Sequence, residues 1–451
     1  METAAVGRPT VGVGEPRERA SAPTGGLSLS GRRAPRSEPM LAPAMVALGI
    51  ALLPVLIPLG PGNIAPVDAV LLGASLCVAL WAGTTSARLR FPYAVAVALF
   101  AFAGLLSALL GPLPIAGALA VVQDMFLFLW CLAVANVLRT PRGMKLILWV
   151  WCVSSTAWAT ALVLSVLMGQ TAVAGVAESS GSRASLTFGE QNGAALYFAI
   201  SLMIVLAARR PLRKATRSIA VAVLVVAIVL TGSLGGLAGL IVGLAVTTLL
   251  FAYSRYGLAI ALLTLITMCV LTAGVAGFVQ SHGLIERAHE SPNQIIRDSI
   301  GRLQQSSTER QTLASETTGL YRTGTLLGVG PAATEYALRQ NQSPYPKEAH
   351  NDFVAAVIER GILGALAIMA LVGAVIVYAS GTRSVAPRFR AILPAPMFLI
   401  GALTAVAVAS LAHEVLHDRT VWTLLGLVAA VSLWAAPERD RETKEATWPS
   451  S

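Results

Sequence analysis

Residues 348–380 read EAHNDFVAAVIERGILGALAIMALVGAVIVYAS. A histidine and an asparagine stand at the mouth of an apolar helical run, a Glu-Arg pair sits inside it, and two glycines three apart follow. From Phe353 to Ser380 the only charged residues are Glu359 and Arg360. At 1.5 Å per residue such a run is long enough to cross a hydrocarbon layer of about 30 Å.

The rest of the chain repeats the pattern. Of 451 residues, 55% are hydrophobic and 12% charged, with a mean hydropathy of +0.70, whereas a soluble domain needs about 25% charged residues. The composition predicts an integral membrane protein. Its apolar runs far exceed the roughly 9–11 alternating residues of a membrane barrel strand, so the expected fold is all-α, a polytopic bundle of about 12 transmembrane helices. The expected crossings are 40–59, 66–84, 91–110, 114–137, 146–167, 191–208, 218–232, 235–253, 257–279, 351–378, 391–411 and 421–435. Between the seventh and eighth the turn signal is TGSLGG, 231–236. Its glycine pair and Ser233 predict a tight reversal, with a re-entrant or broken helix as the rival.

Basic residues orient the bundle, because short loops rich in Arg and Lys stay in the cytoplasm. With the N-terminus inside, the inner loops hold Arg88 and Arg90; Arg139, Arg142 and Lys145; Arg209, Arg210, Arg213, Lys214 and Arg217; Arg255; and Arg383, Arg388 and Arg390. The outer connections 60–65 and 111–113 hold none. This favours an even count with both ends in the cytoplasm. The net charge of +10 then reflects topology and attraction to anionic membrane lipid. Nucleic acid is not an expected partner, since no soluble module presents a basic face.

Residues 1–39, with six Arg, four Glu and no hydrophobic periodicity, read as a disordered cytoplasmic tail. The membrane domain is expected over 40–436, including a large external loop at 280–349, and a second cytoplasmic tail over 437–451. Cys77, Cys131, Cys152 and Cys269 all lie in apolar segments without metal-ligand spacing and read as small hydrophobes.

Polar chemistry gathers on the outer side. In GSRASLTFGEQNGAA, 181–195, Arg183, Glu190, Gln191 and Asn192 crowd the start of the sixth crossing. The 280–349 loop carries seven Lys or Arg, Arg310 and Arg322 among them, against seven acids. Its 306–327 portion reads as an amphipathic helix, ended by the turn Gly328-Val329-Gly330-Pro331. Without a preceding strand and a Lys-Ser/Thr pair this turn is no nucleotide loop.

His350 lies at the water boundary, where an imidazole near pKa 6.5 can take a proton at neutral pH; Asn351 can orient it or cap the helix. Glu359 is nine residues on, so about 13 Å deeper on a straight helix and too far for a dyad. With Arg360, Gly361 and Gly364 it suggests bundle-facing support and close packing. The bland alternative is an interfacial histidine above a structural charge pair. Arg183 and Arg310 can grip a phosphate in bidentate fashion and stabilise a departing diphosphate, although each alone reads equally as a solvated charge. A lipid-diphosphate donor fits this face better than a nucleotide sugar.

HEVLH, 413–417, has the form HExxH, which on a helix places two histidines on one metal. No convincing third ligand follows, so His413, Glu414, His417, Asp418 and Arg419 read instead as a polar outer rim that closes the site. No metal or cofactor is expected. Asp124 lies mid-helix in the fourth crossing and should face the interior, in a proton pathway or a structural pair.

Three blocks together resemble the O-antigen ligase family, which shares its hallmark with O-antigen and exopolysaccharide polymerases. They are His350-Asn351-Asp352-Phe353 through Glu359, Gly361 and Gly364; Arg183 with Thr187-Phe188 and Asn192; and Arg310 through Leu327-Gly328-Val329-Gly330-Pro331. The resemblance covers roughly 65–435. It implies the GT-C-like fold of that family and a metal-independent, inverting glycosyltransferase on the external face of the bacterial inner membrane. The implied donor is an undecaprenyl-diphosphate-linked glycan and the implied acceptor lipid A-core or another glycan or lipid. His350, Arg183 and Arg310 would carry catalysis, with Asn192, Asn351, Glu359, Arg322, His413 and His417 binding or supporting. A polymerase joining lipid-linked repeat units and a membrane transporter are the alternatives. One departure is plain: the family usually has Ser-Arg-Gly where this chain has Ser233-Leu234-Gly235, so that arginine's role is absent or supplied elsewhere, for instance by Arg183.

Overall fold

A computed structural model describes residues 40–56, 64–85, 88–175, 184–283, 286–287, 290, 312–313, 315–320, 326–343, 346–385 and 387–446. The expected tail at 1–39, most of the expected amphipathic helix at 306–327, and Arg183, Arg310 and Arg322 lie outside the described residues. The principal helices are α1 (Leu41–Ala51), α2 (Pro66–Thr85), α3 (Ala94–Leu110), α4 (Pro114–Val137), α5 (Pro141–Leu167), α6 (Gln191–Ala208), α7 (Lys214–Leu230), α8 (Leu234–Tyr256) and α9 (Leu258–Ser281). They continue with α10 (Thr334–Gln340), α11 (Asp352–Gly381), α12 (Met397–Ser410) and α13 (Arg419–Ala446).

The chain is all-helical, with no strand among the described residues, and each expected crossing falls on one of these helices. By length and composition, 6 of them, α2, α4, α5, α6, α8 and α11, can cross a bilayer unaided. Proline opens α2, α4 and α5, where its missing N–H costs nothing and its fixed φ suits the first turn. At α5, Thr140 completes the start by accepting from Gly143 N–H at 3.0 Å. TGSLGG is a turn: α7 ends at Leu230, α8 begins at Leu234, and Ser233 Oγ accepts from Gly236 N–H at 3.2 Å. The last helix runs to Ala446, beyond the 436/437 boundary expected for a tail.

With no hydrophobic force between helices in lipid, close packing and buried hydrogen bonds hold the bundle together. α6 is buried along almost its whole length, and Trp151 of α5 donates to Ser201 inside it at 3.0 Å. α8 and α12 meet through small residues: a Cβ on Gly243 would stand 2.4 Å from the Gly401 carbonyl. α4 and α13 are joined by Trp130 Nε1, which donates to Thr423 Oγ1 at 2.7 Å.

Loop contacts sort the bundle into two ends. At one, Asn136 exchanges two hydrogen bonds of 2.9 Å with the Arg90 backbone, Arg139 donates to the Arg88 carbonyl at 2.9 Å, and Arg217 donates to the Arg209 carbonyl at 3.1 Å. These are the basic loops. At the other, Thr187 bonds Pro54, Ser233 bonds Asn192, and Arg419 forms a bidentate pair with Asp68 at 2.6 Å. The basic loops after α2 and α4 thus touch each other, and the connections after α1, α5 and α7 meet at the other end.

α11 is not one straight helix. At Gly361 the backbone takes φ 61 and ψ −153, a region open only to glycine, and the helical ladder opens. The freed carbonyls are not orphaned: Val329 N–H donates to Ile358 O and Gly330 N–H to Glu359 O, both at 2.9 Å, while Ile362 N–H donates to Leu326 O at 3.0 Å. The Gly-rich turn is therefore inserted into the break, as buried irregular backbone at membrane depth requires. There is no room for a side chain on either strand of this clasp. A Cβ on Gly361 would stand 2.1 Å from Leu326 O, and one on Gly328 would stand 2.5 Å from Glu359 O. Beyond the break, a Cβ on Gly364 would meet Ala356 O at 2.1 Å, so the second half packs against the first rather than extending it. The twenty residues 362–381 measure about 30 Å, a full crossing by themselves. The roughly 13 Å from His350 to Glu359 is distance along the short helix that precedes the break.

Candidate active site

The site is built around the start of α11. His350 has φ 49, a left-handed backbone that histidine, like Asn and Asp, adopts more readily than most non-glycine residues, so the chain turns sharply where the imidazole stands. Asn351 is the cap: its Oδ1 accepts from Phe353 N–H at 2.9 Å and Val354 N–H at 3.0 Å. Its Nδ2 donates to the Leu411 carbonyl at 3.0 Å. Asp352 accepts from Val415 N–H at 3.1 Å and Leu416 N–H at 3.2 Å. Two adjacent side chains thus fasten the 411–418 connection beside His350.

That connection is turn rather than helix, which decides the reading of HEVLH. Without helical periodicity, His413 and His417 do not share a face. His413 Nε2 bonds Glu190 Oε2 at 3.1 Å, whereas His417 lies 3.6 Å from Asp124 and 3.7 Å from Glu414. Among the described residues no group of three or more His, Cys, Asp or Glu is placed to hold a metal ion. Asp418 caps α13 by accepting from Thr420 N–H at 2.7 Å.

A continuous polar chain leads from the α7–α8 turn to His350. Ser233 Oγ donates to Asn192 Oδ1 at 2.8 Å, Asn192 Nδ2 donates to Glu190 Oε1 at 3.1 Å, and Glu190 accepts from His413. The His413 and His350 rings follow, with centres 6.1 Å apart and planes tilted by 33°. Asn192, Ser233, Gly235, Gly236, Ala412 and His413 line a narrow cleft between the N-terminal turns of α6 and α8. Leu234 sits between two of these lining residues, Ser233 and Gly235, and His413 lines the same cleft.

The two histidines are tuned in opposite directions. Burial, and then the neighbouring His413 charge, hold His350 below its ordinary 6.5, so it is a neutral base at pH 7. Burial works against charge on His413 as well, but the Glu190 hydrogen bond and carboxylate outweigh it and raise His413. Glu190 responds in kind: burial pushes it up, and the bond and charge of His413, with help from Asn192, bring it below the usual glutamate value. His417 is raised too, desolvation being outweighed by its Glu414 bond and the Asp124 charge.

Glu359 and Arg360 do not pair with each other. Glu359 accepts from Thr334 Oγ1 at 2.9 Å, which ties α11 to α10. Arg360 reaches the other way to Asp124 at 2.7 Å, both side chains at least 95% buried, and its guanidinium lies 3.7 Å from the centre of the Phe100 ring. Asp124 is thus half of a structural pair. Sequence reasoning missed the Glu190–His413, Thr334–Glu359 and Asp68–Arg419 partnerships. The polar crowding before α6 flagged Glu190, but nothing local links it to a histidine in a distant loop.

The order of these parts along the chain can be compared with known proteins. Residues 219–369 match the model of the O-antigen ligase family. This block is similar to the O-antigen ligase domain. It takes in α7, α8, the Gly-rich turn, His350, Asn351 and the Gly361 break, while Glu190, Asn192 and His413 come from outside it. The match is shorter than the 65–435 over which the resemblance was expected. Curated proteins yield no match to the chain. The O-antigen ligase domain and the multi-pass helices make the protein a membrane enzyme of polysaccharide biosynthesis, ligase- or polymerase-like, that handles lipid-linked glycans.

Proposed function

We propose that the protein is a metal-independent, inverting glycan ligase. It transfers a polysaccharide from undecaprenyl diphosphate to a lipid or glycan acceptor, at the external face of the bacterial inner membrane. The observation that supports this reading is the neutral His350 beside the His413–Glu190 pair, whose 3.1 Å contact raises the His413 pKa, at the end of the bundle opposite the basic loops. His350 takes the proton of the acceptor hydroxyl as that oxygen attacks the anomeric carbon. The sugar–phosphate bond breaks on the opposite side, and direct displacement inverts the centre. Arg183 and Arg310 hold the departing diphosphate. Asn192, Asn351, Glu359, Arg322, His413 and His417 bind or support.

The test is transfer by the purified protein from a defined lipid-diphosphate glycan to several acceptors, before and after exhaustive chelation. Arg183→Lys and Arg310→Lys keep the charge but lose the planar fork, and each is expected to lower transfer roughly tenfold or more. Arg339→Lys is the control, because Arg339 is exposed and pairs with Glu335 one turn away; it should transfer like the parent. Near-parent transfer by both arginine variants, together with activity lost on chelation, would overturn the reading. Acceptor preference separates a lipid acceptor from a growing polymer.

The orientation has its own check. An accessibility reporter at Gln342, in the loop before α11, should label from outside intact cells, and one at Leu212, in the basic loop, only after permeabilisation. The reverse labelling would put the site on the wrong side for a lipid-linked donor.

A further inference from the structure

His413 has a property that its place on a closing rim does not explain. Its Nε2 is committed to Glu190 at 3.1 Å, while its Nδ1 is buried and has no hydrogen-bond partner among the described residues. A buried polar atom left unpaired is costly, and in a native site it calls for an occupant. The same residue lines the cleft formed with Asn192, Ser233, Gly235 and Gly236. The first turns of α6 and α8, whose partial positive charge favours an anion, form part of the cleft's wall, and Ala409, Ala412 and Val415 form much of the rest. His350 lies on the other side, with ring centres 6.1 Å apart. At that separation the two rings can each hydrogen-bond a different oxygen of one reacting centre.

Resting on the ligase reading above, we propose that His413 is a second catalytic residue, which presents Nδ1–H to a phosphate oxygen of the lipid-linked donor while Glu190 holds its other nitrogen. The labour is then divided. A bond forms between the acceptor oxygen and the anomeric carbon, and the bond from that carbon to the phosphate oxygen breaks. The electron pair leaves with the diphosphate, and the acceptor's proton goes to His350. His413 keeps its own proton throughout and shares it with the oxygen on which charge develops, which lowers the barrier as a fixed donor in a dry site does. The opposite tuning of the two rings agrees with this assignment, since paired groups driven apart in basicity mark the proton acceptor and the cation. Glu190 is the positioning residue: it fixes the ring and keeps it charged, and Asn192 and Ser233 hold Glu190 in turn.

Inorganic diphosphate is the probe. It is titrated into the full chain in lipid nanodiscs and followed by calorimetry, with thermal unfolding as the check on folding. The parent should bind; His413→Gln should bind roughly tenfold more weakly or worse, because a charge-assisted donor is gone. Glu190→Gln, which leaves the ring in place without the partner that charges it, should weaken binding as well, and it carries the test if His413→Gln does not fold. His350→Gln should bind as the parent does. In transfer assays His413→Gln should lower kcat about 10²-fold with the acceptor KM unchanged. Absence of diphosphate binding by the parent, or equal binding by folded His413→Gln or Glu190→Gln, overturns the proposal. A parent that binds diphosphate through His413 but transfers no glycan supports this contact and overturns the ligase reading instead.

Discussion

His350→Gln is expected to fold, to bind the lipid-diphosphate donor, and to transfer glycan at least about 10²-fold more slowly than the parent at neutral pH. Glutamine keeps the size and a hydrogen-bonding end but cannot take a proton. The sign of the pH dependence follows from the tuning of the ring. Burial and the His413 charge lower His350, with Glu190 and Glu414 pulling back and Lys347 adding to the shift. The base is therefore free above a pKa that lies under 6.5, which gives the parent's kcat/KM an acid limb below that value, separate from the alkaline limb that loss of the His413 proton would set. In His350→Gln the acid limb should disappear along with the rate. A well-folded variant with normal transfer, or one that keeps the same acid limb, would remove His350 from the mechanism.

Gly361→Ala is expected to be strongly destabilising. Alanine must adopt φ 61, ψ −153 and place its Cβ 2.1 Å from a backbone oxygen. Either the strain stays, at about 1–3 kcal/mol, or the clasp opens and three backbone hydrogen bonds are lost at about 1 kcal/mol each. Both routes predict a loss of up to about 3 kcal/mol, read as a clear drop in Tm in detergent. Gly373→Ala is the comparison: it lies on the same helix with open space around it and should change little. A Gly361→Ala protein that melts with the parent would mean that the break is dispensable.

These two positions also mark how far the sequence could be read. Apolar runs of about 20 residues declare themselves, and so all of the expected crossings fall on helices. Capping is equally local, so Asn351 and Ser233 were legible from their neighbours. HEVLH has the letters of a metal motif, and the missing third ligand was legible in the sequence, but the stretch's being a turn was not, because it holds no glycine or proline. The break at Gly361 was hidden for the opposite reason: glycine is common inside membrane helices as a packing residue, and only the partner turn at 326–331 reveals its other use. Arg360 advertised a buried partner without naming it. Asp124 was its match, 236 positions away, and Glu190 stands 223 residues before His413, as their numbers give. Pairings of that span belong to topology, which no local spacing encodes.

The clasp bears on how the protein withstands force. An enzyme that receives a long polysaccharide holds one end of a chain whose remainder drifts, snags and pulls. Such a pull reaches the protein through the outer loop. Before it can reach His350 it meets the turn 326–331, which is hydrogen-bonded into the backbone of α11. The other approach is closed by Asn351 and Asp352, moored to the loop that joins α12 and α13. On the reading proposed above, a pull on the glycan would pass to the helices on both flanks, and His350 stands between the two moorings.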